Sequence, residues 1–381
     1  MALKVAGRGR IPPFIVMDVV RAAEERAAAG HDVLHMEIGQ PSTPAPRGVL
    51  AAAQAALAGN VLGYTGAFGL EALRQRLAEW YRLRYGVVVP VERIALTPGS
   101  SGAFVLAFLA AFEPGDRVAL ATPCYPAYRN ILTALGIEAV LVPADLEHGF
   151  QPTPDLLERA GPLDGVIVAS PANPTGTMLA AADLAALAGW CRAKGVRLVS
   201  DEIYHGITFG VDGVTALAFD QDAVVINSFS KYFSMTGWRL GWMIVPADMV
   251  RAVECLAQNL FISPPTLSQH AAIAAFDCVP ELEENVARYA RNRALLLDEL
   301  PKAGFDRLAP ADGAFYIYAD VAHLTNDSTL FCRRMLEEVG IAATPGVDFD
   351  PERGNRTLRF SFAGATETMA EAARRLVAWK R

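Results

Sequence analysis

The sequence predicts an α/β protein with a mainly parallel sheet covered on both faces, followed by a separate α+β unit. Three observations carry that expectation. Short apolar runs recur through the middle of the chain, at DRVALA (Asp116–Ala121), GVIVAS (Gly165–Ser170), VRLVSD (Val196–Asp201), AVVINS (Ala223–Ser228) and LGWMIV (Leu240–Val245). Helical stretches such as Ala180–Lys194, or Pro/Gly turns, separate most of them, and alternating elements with strands apolar on both sides imply burial on both faces. Beyond about residue 280 the pattern changes. A long amphipathic stretch, Glu281–Ala303, leads to GAFYIYADV (Gly313–Val321), a helix near Leu330–Val339 and the strand-like TLRFSF (Thr357–Phe362).

The remaining elements follow in order. A helical pattern covers roughly Met17 to Gly30, with Glu24, Glu25 and Arg26 on its polar side, and Pro41, Pro44 and Pro46 then mark a linker. With 381 residues, 52% hydrophobic and 20% charged, the chain has room for two domains and is far too apolar for disorder. No internal repeat or heptad run is present.

Charge and cysteine usage exclude several classes. A net charge of −7 without a basic block argues against nucleic acid or an anionic membrane as partner. Cys124, Cys191, Cys255, Cys278 and Cys332 are scattered and lack CxxC spacing, and the six histidines show no ligand spacing, so reduced thiols and no metal site are expected. Pro12, Pro13 and Asp18 interrupt the apolar patch near the N-terminus, and no run approaches a membrane span. The expectation is a soluble cytoplasmic protein.

In a parallel sheet, ligands bind beyond the carboxyl ends of the strands. SPANPTGT (Ser170–Thr177), DEIY (Asp201–Tyr204) and SFSKYFSMTGWRLGW (Ser228–Trp242) follow three of the runs, and TPGSSGA (Thr97–Ala103) leads into an apolar helix. Only five of the 34 basic residues are lysines, so Lys231, among Ser228, Phe229, Ser230, Tyr232 and Phe233, stands out. Desolvation lowers an amine pKa and suits it to imine formation with a carbonyl, although a lysine at a strand end can simply reach solvent. Gly99–Gly102 offers free amides, two hydroxyls and a positive dipole end to a phosphate, and equally fits a common helix cap. Arg239 brings a planar fork to the same place, or a surface ion pair. Asp201 closes an apolar run, where a buried carboxylate needs a cation. Alternatively it caps the next turn, with Glu202 as the solvent-facing partner. Asn173, between Pro171 and Pro174, holds a ligand or caps a turn.

These residues, in this order, resemble the fold type I pyridoxal-phosphate enzymes, specifically the class I/II aminotransferases. The resemblance runs over residues 12–365 through GYTGAFGLEALR (Gly63–Arg74), TPGSSGA, SPANPTG, DEIY, the lysine segment and RFSF. It implies a large domain, residues 41–280, with a mainly parallel seven-stranded sheet sandwiched by helices. A smaller α+β domain would form from residues 1–40 and 281–381. It also implies pyridoxal 5′-phosphate as cofactor, held by Lys231 as an internal aldimine. Lys231 would then shuttle the proton between the substrate Cα and the cofactor C4′. Asp201 would pair with the pyridinium nitrogen, Tyr204 and Asn173 would bond the phenolic oxygen, and Tyr125 would stack on the ring. Ser100, Ser101, Ser228 and Arg239 would hold the phosphate. Tyr64 would reach it from the second subunit of a homodimer with a shared active site. Arg359 would clamp the substrate carboxylate, with the Gly39 backbone and Asn173 beside it. The implied reaction is a ping-pong exchange of an amino group between an L-amino acid and a 2-oxo acid.

Two positions depart from the family pattern. Ser170 stands where an asparagine is usual, and Ser101 where some aspartate-using relatives carry a lysine, which weighs against a dedicated aspartate enzyme. Apolar residues at Ile15, Val16, Phe68, Phe261 and Ile262 point to a neutral or aromatic side-chain pocket, and 2-oxoglutarate or pyruvate is the acceptor relatives commonly use. A carbon–sulfur β-lyase would retain the same lysine, aspartate and arginines. A pyridoxal-phosphate-binding regulatory protein would need a DNA-binding module, and fewer than 40 residues precede Gly39.

Overall fold

The computed structural model describes residues 3–380, so residues 1–2 and 381 at the ends of the expected small domain lie outside it. After helix α1 (Ile15–Ala28) and a two-residue strand β1 (Leu34–His35) come helices α2 (Arg47–Gly59) and α3 (Glu71–Tyr85). The main sheet then begins with β2 (Ile94–Thr97), helix α4 (Gly99–Ala111), β3 (Arg117–Thr122), helix α5 (Pro126–Leu135) and β4 (Glu138–Pro143). It is completed by β5 (Gly165–Ala169), β6 (Arg197–Asp201), β7 (Val224–Ser228) and β8 (Gly241–Ile244). The lateral order is β2-β8-β7-β6-β5-β3-β4.

Six strands run the same way, and β8 opposes both its neighbours. No α-helix separates β7 from β8, so there is no crossover to return the chain to the starting edge. Side chains alternate between two cores: Val166 and Val168 pack on one face, Ile167 on the other, and Val225 lies opposite Val224 and Ile226. That alternation makes the strands read as unbroken apolar runs. The edge strand β4 is half exposed, and its run did not stand out in the sequence.

The C-terminal part adds β9 (Arg307–Leu308), β10 (Tyr316–Asp320), β11 (Ile341–Ala342), β12 (Thr344–Pro345) and β13 (Thr357–Ser361). Four of these form an antiparallel sheet in the order β12-β13-β10-β9, while β1 pairs in parallel with β11 and so ties the N-terminal segment to this part. The register sets Arg359 opposite Tyr318 on one side and Thr344 on the other. Among the described residues no helix is long and apolar enough to cross a membrane, and no cluster of three or more potential metal ligands occurs.

Candidate active site

The strand ends explain why the site forms where it does. Strands ending at Thr97, Thr122, Ala169, Asp201 and Ser228 all stop at one edge of the sheet, and antiparallel β8 starts there, two residues after Arg239. A cavity of about 220 Å³ opens at that edge. Gly39, Ser100, Ser101, Tyr125, Asn173, Asp201, Tyr204, Lys231, Arg239 and Arg359 all line it, so ten of the twelve expected site residues converge.

Lys231 Nζ donates to the Gly39 carbonyl at 2.6 Å. Burial, with Arg359 and Arg239 nearby, lowers its pKa to about 8, so an appreciable minority of the amine is uncharged just above neutrality. Asp201 is buried on the floor. Its carboxylate accepts from the Tyr128 hydroxyl and from Ile203 N at 3.0 Å. Burial raises this carboxyl to about 6, against the pull of those two bonds and of Lys231. Among the described residues no cationic group lies within ion-pair distance of it, so the cavity contains a buried carboxylate with an unmet demand for positive charge.

The start of α4 lacks any side-chain cap, and Ser100 and Ser101 of its first turn line the cavity. Gly99 has φ +69°, and a Cβ there would stand 2.6 Å from an Arg239 guanidinium nitrogen. Arg239 itself holds φ 52°, a conformation rare for a side-chain-bearing residue, and donates to Thr236 O at 3.1 Å. Free amides, hydroxyls and a fixed guanidinium make a cradle for a phosphate.

On the opposite wall the Arg359 guanidinium lies between two aromatic faces, 4.3 Å from the Tyr316 ring centre and 4.7 Å from that of Phe349. It donates to Asn173 Oδ1 at 2.7 Å, to the Glu37 carbonyl and to Thr344 Oγ1 at 3.3 Å, while its buried Nε finds no partner. An oriented, incompletely satisfied fork of this kind suits a carboxylate. Phe14, Val16, Met17 and Ile38 form the apolar part of the wall.

Several expectations need correction. Ser228 does not line the cavity: its hydroxyl donates to Leu240 O at 3.0 Å and lies 2.8 Å from Ser230 Oγ, and Ser230 lines the wall instead. Tyr64, expected to serve a second subunit's cavity rather than its own, is 83% exposed on the surface. Asn173 Oδ1 accepts from Arg359 at 2.7 Å, which leaves the amide NH2 for a second partner in the cavity. Glu202 is fully buried rather than solvent-facing, because Ser200, Thr215 and the Ala216 amide all donate to it. Phe68 and Phe261 pack against the second core, not the cavity. Sequence reasoning also missed Tyr128 and Tyr316. Tyr128 had a signal, since it stands one helical turn after Tyr125 on α5; Tyr316 had only its place in an apolar strand.

Residues 31–376 match the family model for aminotransferase class I and II. A valine–pyruvate aminotransferase from Mycobacterium tuberculosis is 52% identical over 100% of this chain and 99% of its own length. A crystal structure of an aminotransferase from the same organism superposes with a TM-score of 0.97 at 51% identity, covering 99% of both chains. Aspartate aminotransferase from Thermus thermophilus with maleate has a TM-score of 0.94 at 30% identity, over 99% of this chain and 100% of that one.

Proposed function

The chain belongs to the class I and II aminotransferases and is a transaminase, and from that premise we propose that it uses pyridoxal 5′-phosphate to move the amino group of a neutral aliphatic L-amino acid, valine foremost, to pyruvate. One observation carries the substrate reading. Arg359 is available for the α-carboxylate, and Phe14, Val16, Met17 and Ile38 line the wall with the neutral Gln40; beyond Lys231 and Arg239, which the cofactor would engage, no further cation among the described residues lines the cavity to meet a side-chain carboxylate. The similarity to a valine–pyruvate enzyme points the same way.

The cavity suits the cofactor on three counts: an uncompensated Asp201 carboxylate for a protonated ring nitrogen, the α4 start with Arg239 for the phosphate, and the Lys231 amine for the aldehyde. When bound, pyridoxal phosphate supplies an electron sink that lets the Cα–H bond of an amino acid ionise. Asp201 would keep the ring nitrogen protonated, and Tyr128 would hold the Asp201 carboxylate in place. Lys231 Nζ would take the proton from the substrate Cα and hand it on to the cofactor C4′, two bonds away. Tyr204 and the Asn173 amide would bond the phenolic oxygen, and Tyr125 would support the ring face. Arg359 would grip both carboxylate oxygens and so aim the Cα–H at Lys231. Phe14, Val16 and Ile38 would exclude water on the side-chain side.

The same reading includes a homodimer. Tyr64 and Val61 are 83% and 98% exposed on one loop, a poor environment for a lone chain and a fitting one for a segment that completes a second copy's phosphate site. Spectra of the protein loaded with pyridoxal phosphate test the proposal. Valine should discharge the cofactor band and pyruvate restore it, with alanine as product. Conversion of aspartate or arginine with valine inert would refute the aliphatic assignment.

A further inference from the structure

The first helix of the chain is capped from the far end of the sequence. No side chain of its own segment meets the free amides at the start of α1. Instead the Asp348 carboxylate accepts from Ile15 N at 3.1 Å and from Val16 N at 3.2 Å. Asp348 is fully buried, and Arg129 anchors the same turn by donating to the Asp348 carbonyl at 2.6 Å. A carboxylate on the first amides of a helix is favoured by both hydrogen bonding and the dipole. This tie holds part of the cavity. Phe14, Val16 and Met17 line it, and Phe14 packs edge-on against Tyr125 with ring centres 5.7 Å apart.

We propose that Asp348 is a positioning residue for substrate specificity. By fixing the start of α1 it sets how closely the apolar wall meets the substrate side chain, and hence how strongly a branched aliphatic amino acid is preferred to alanine. The inference rests on the aliphatic reading above. Asp348 also lies in the field of Arg359 and Arg129. A change acting through charge at Arg359 would strike every amino acid alike, because all carry the α-carboxylate. A displaced wall strikes only those whose side chains reach it.

The test compares Asp348→Ala and Asp348→Asn with wild type, each loaded with pyridoxal phosphate, using valine and alanine as donors. In Asp348→Ala, kcat/KM for valine falls by about tenfold, the worth of one or two methylene contacts, and the loss is in KM. Alanine turnover is retained. Asp348→Asn, which keeps one acceptor oxygen, falls between. Amide exchange over residues 14–20 of the full chain accelerates in the same order. Equal losses for both donors, no loss, or unchanged exchange would overturn the assignment. A failure of the aliphatic reading shows separately, as wild-type preference for another amino acid. The same comparison of that amino acid with alanine then decides the role of Asp348.

Discussion

The hydroxyl of Tyr316 stands 2.7 Å from that of Tyr204 and occupies the space that a Cβ on Gly39 would need. The same ring supports the Arg359 guanidinium. One side chain thus spaces the phenol expected on the cofactor side, the backbone that accepts from Lys231, and the fork expected on the substrate carboxylate.

Gly39→Ala tests that spacing. An added methyl must push Tyr316 away, and Tyr204 and Arg359 move with it. Misplacement by about 1 Å can cost on the order of a hundredfold, so kcat/KM should fall steeply while the thermal midpoint changes less. Kinetics at wild-type level would show that the pocket yields elsewhere.

Lys231→Ala should lower turnover by at least about a hundredfold, the usual scale for losing a positioned proton carrier. Its fold should survive, because the cost of desolvating the ammonium offsets its hydrogen bond to the Gly39 carbonyl and its attraction to Asp201. The pH dependence follows from the pKa of about 8, lowered by burial from the ordinary lysine value of 10.5. The free amine is the reactive form, so uptake of pyridoxal phosphate by the cofactor-free chain should slow progressively as pH falls below 8 and level off above it. Stability carries the matching sign. Between 8 and 10.5 the unfolded chain holds this proton and the folded one does not, so this group's contribution to stability rises with pH across that window. A pH-independent uptake rate would contradict the assignment.

Asp201 offers a trade between stability and function. Its folded pKa of about 6 lies above the ordinary aspartate value of 3.8, so the folded chain holds the proton longer and stability falls as pH rises between those values. Above pH 6 the cofactor-free protein carries an uncompensated buried charge. Asp201→Asn keeps one acceptor oxygen for Ile203 N and turns an amide NH2 towards Tyr128, whose hydroxyl can accept in place of donating, without that charge. Its cofactor-free form should therefore unfold at a higher temperature than wild type at pH 8, while transamination collapses. Calorimetry and turnover on one preparation check both halves.

Arg359→Lys keeps the charge and loses the fork. Charge-assisted hydrogen bonds are worth roughly 1.5–3 kcal/mol, so kcat/KM for valine should fall about tenfold to a hundredfold. The effect should be the same for alanine, since both present the same carboxylate. A loss confined to valine would move Arg359 from the carboxylate to the side-chain wall.

What the sequence determined by itself was local. Apolar period and turn chemistry marked β3, β5, β6 and β7 to within a residue or two, because burial on both sheet faces leaves an unbroken apolar run. Asp201 stood out because it closes such a run, and Lys231 and Arg239 because they lie on the segment that joins two of them, where charge at the end of an apolar sheet is costly unless it has a task. Tertiary structure decided the pairings between distant polar groups. Arg359 reaches the Glu37 carbonyl across 322 positions, and Asp348 reaches Ile15 across 333. Tyr316 meets Tyr204 only because the register of β10 against β13 points it there. Glu202 looked like a surface residue until three donors from Ser200, Thr215 and Ala216 made its burial tolerable. Periodicity records which face of an element is apolar, whereas polar contacts depend on how elements stack, and stacking is settled by packing across the whole core.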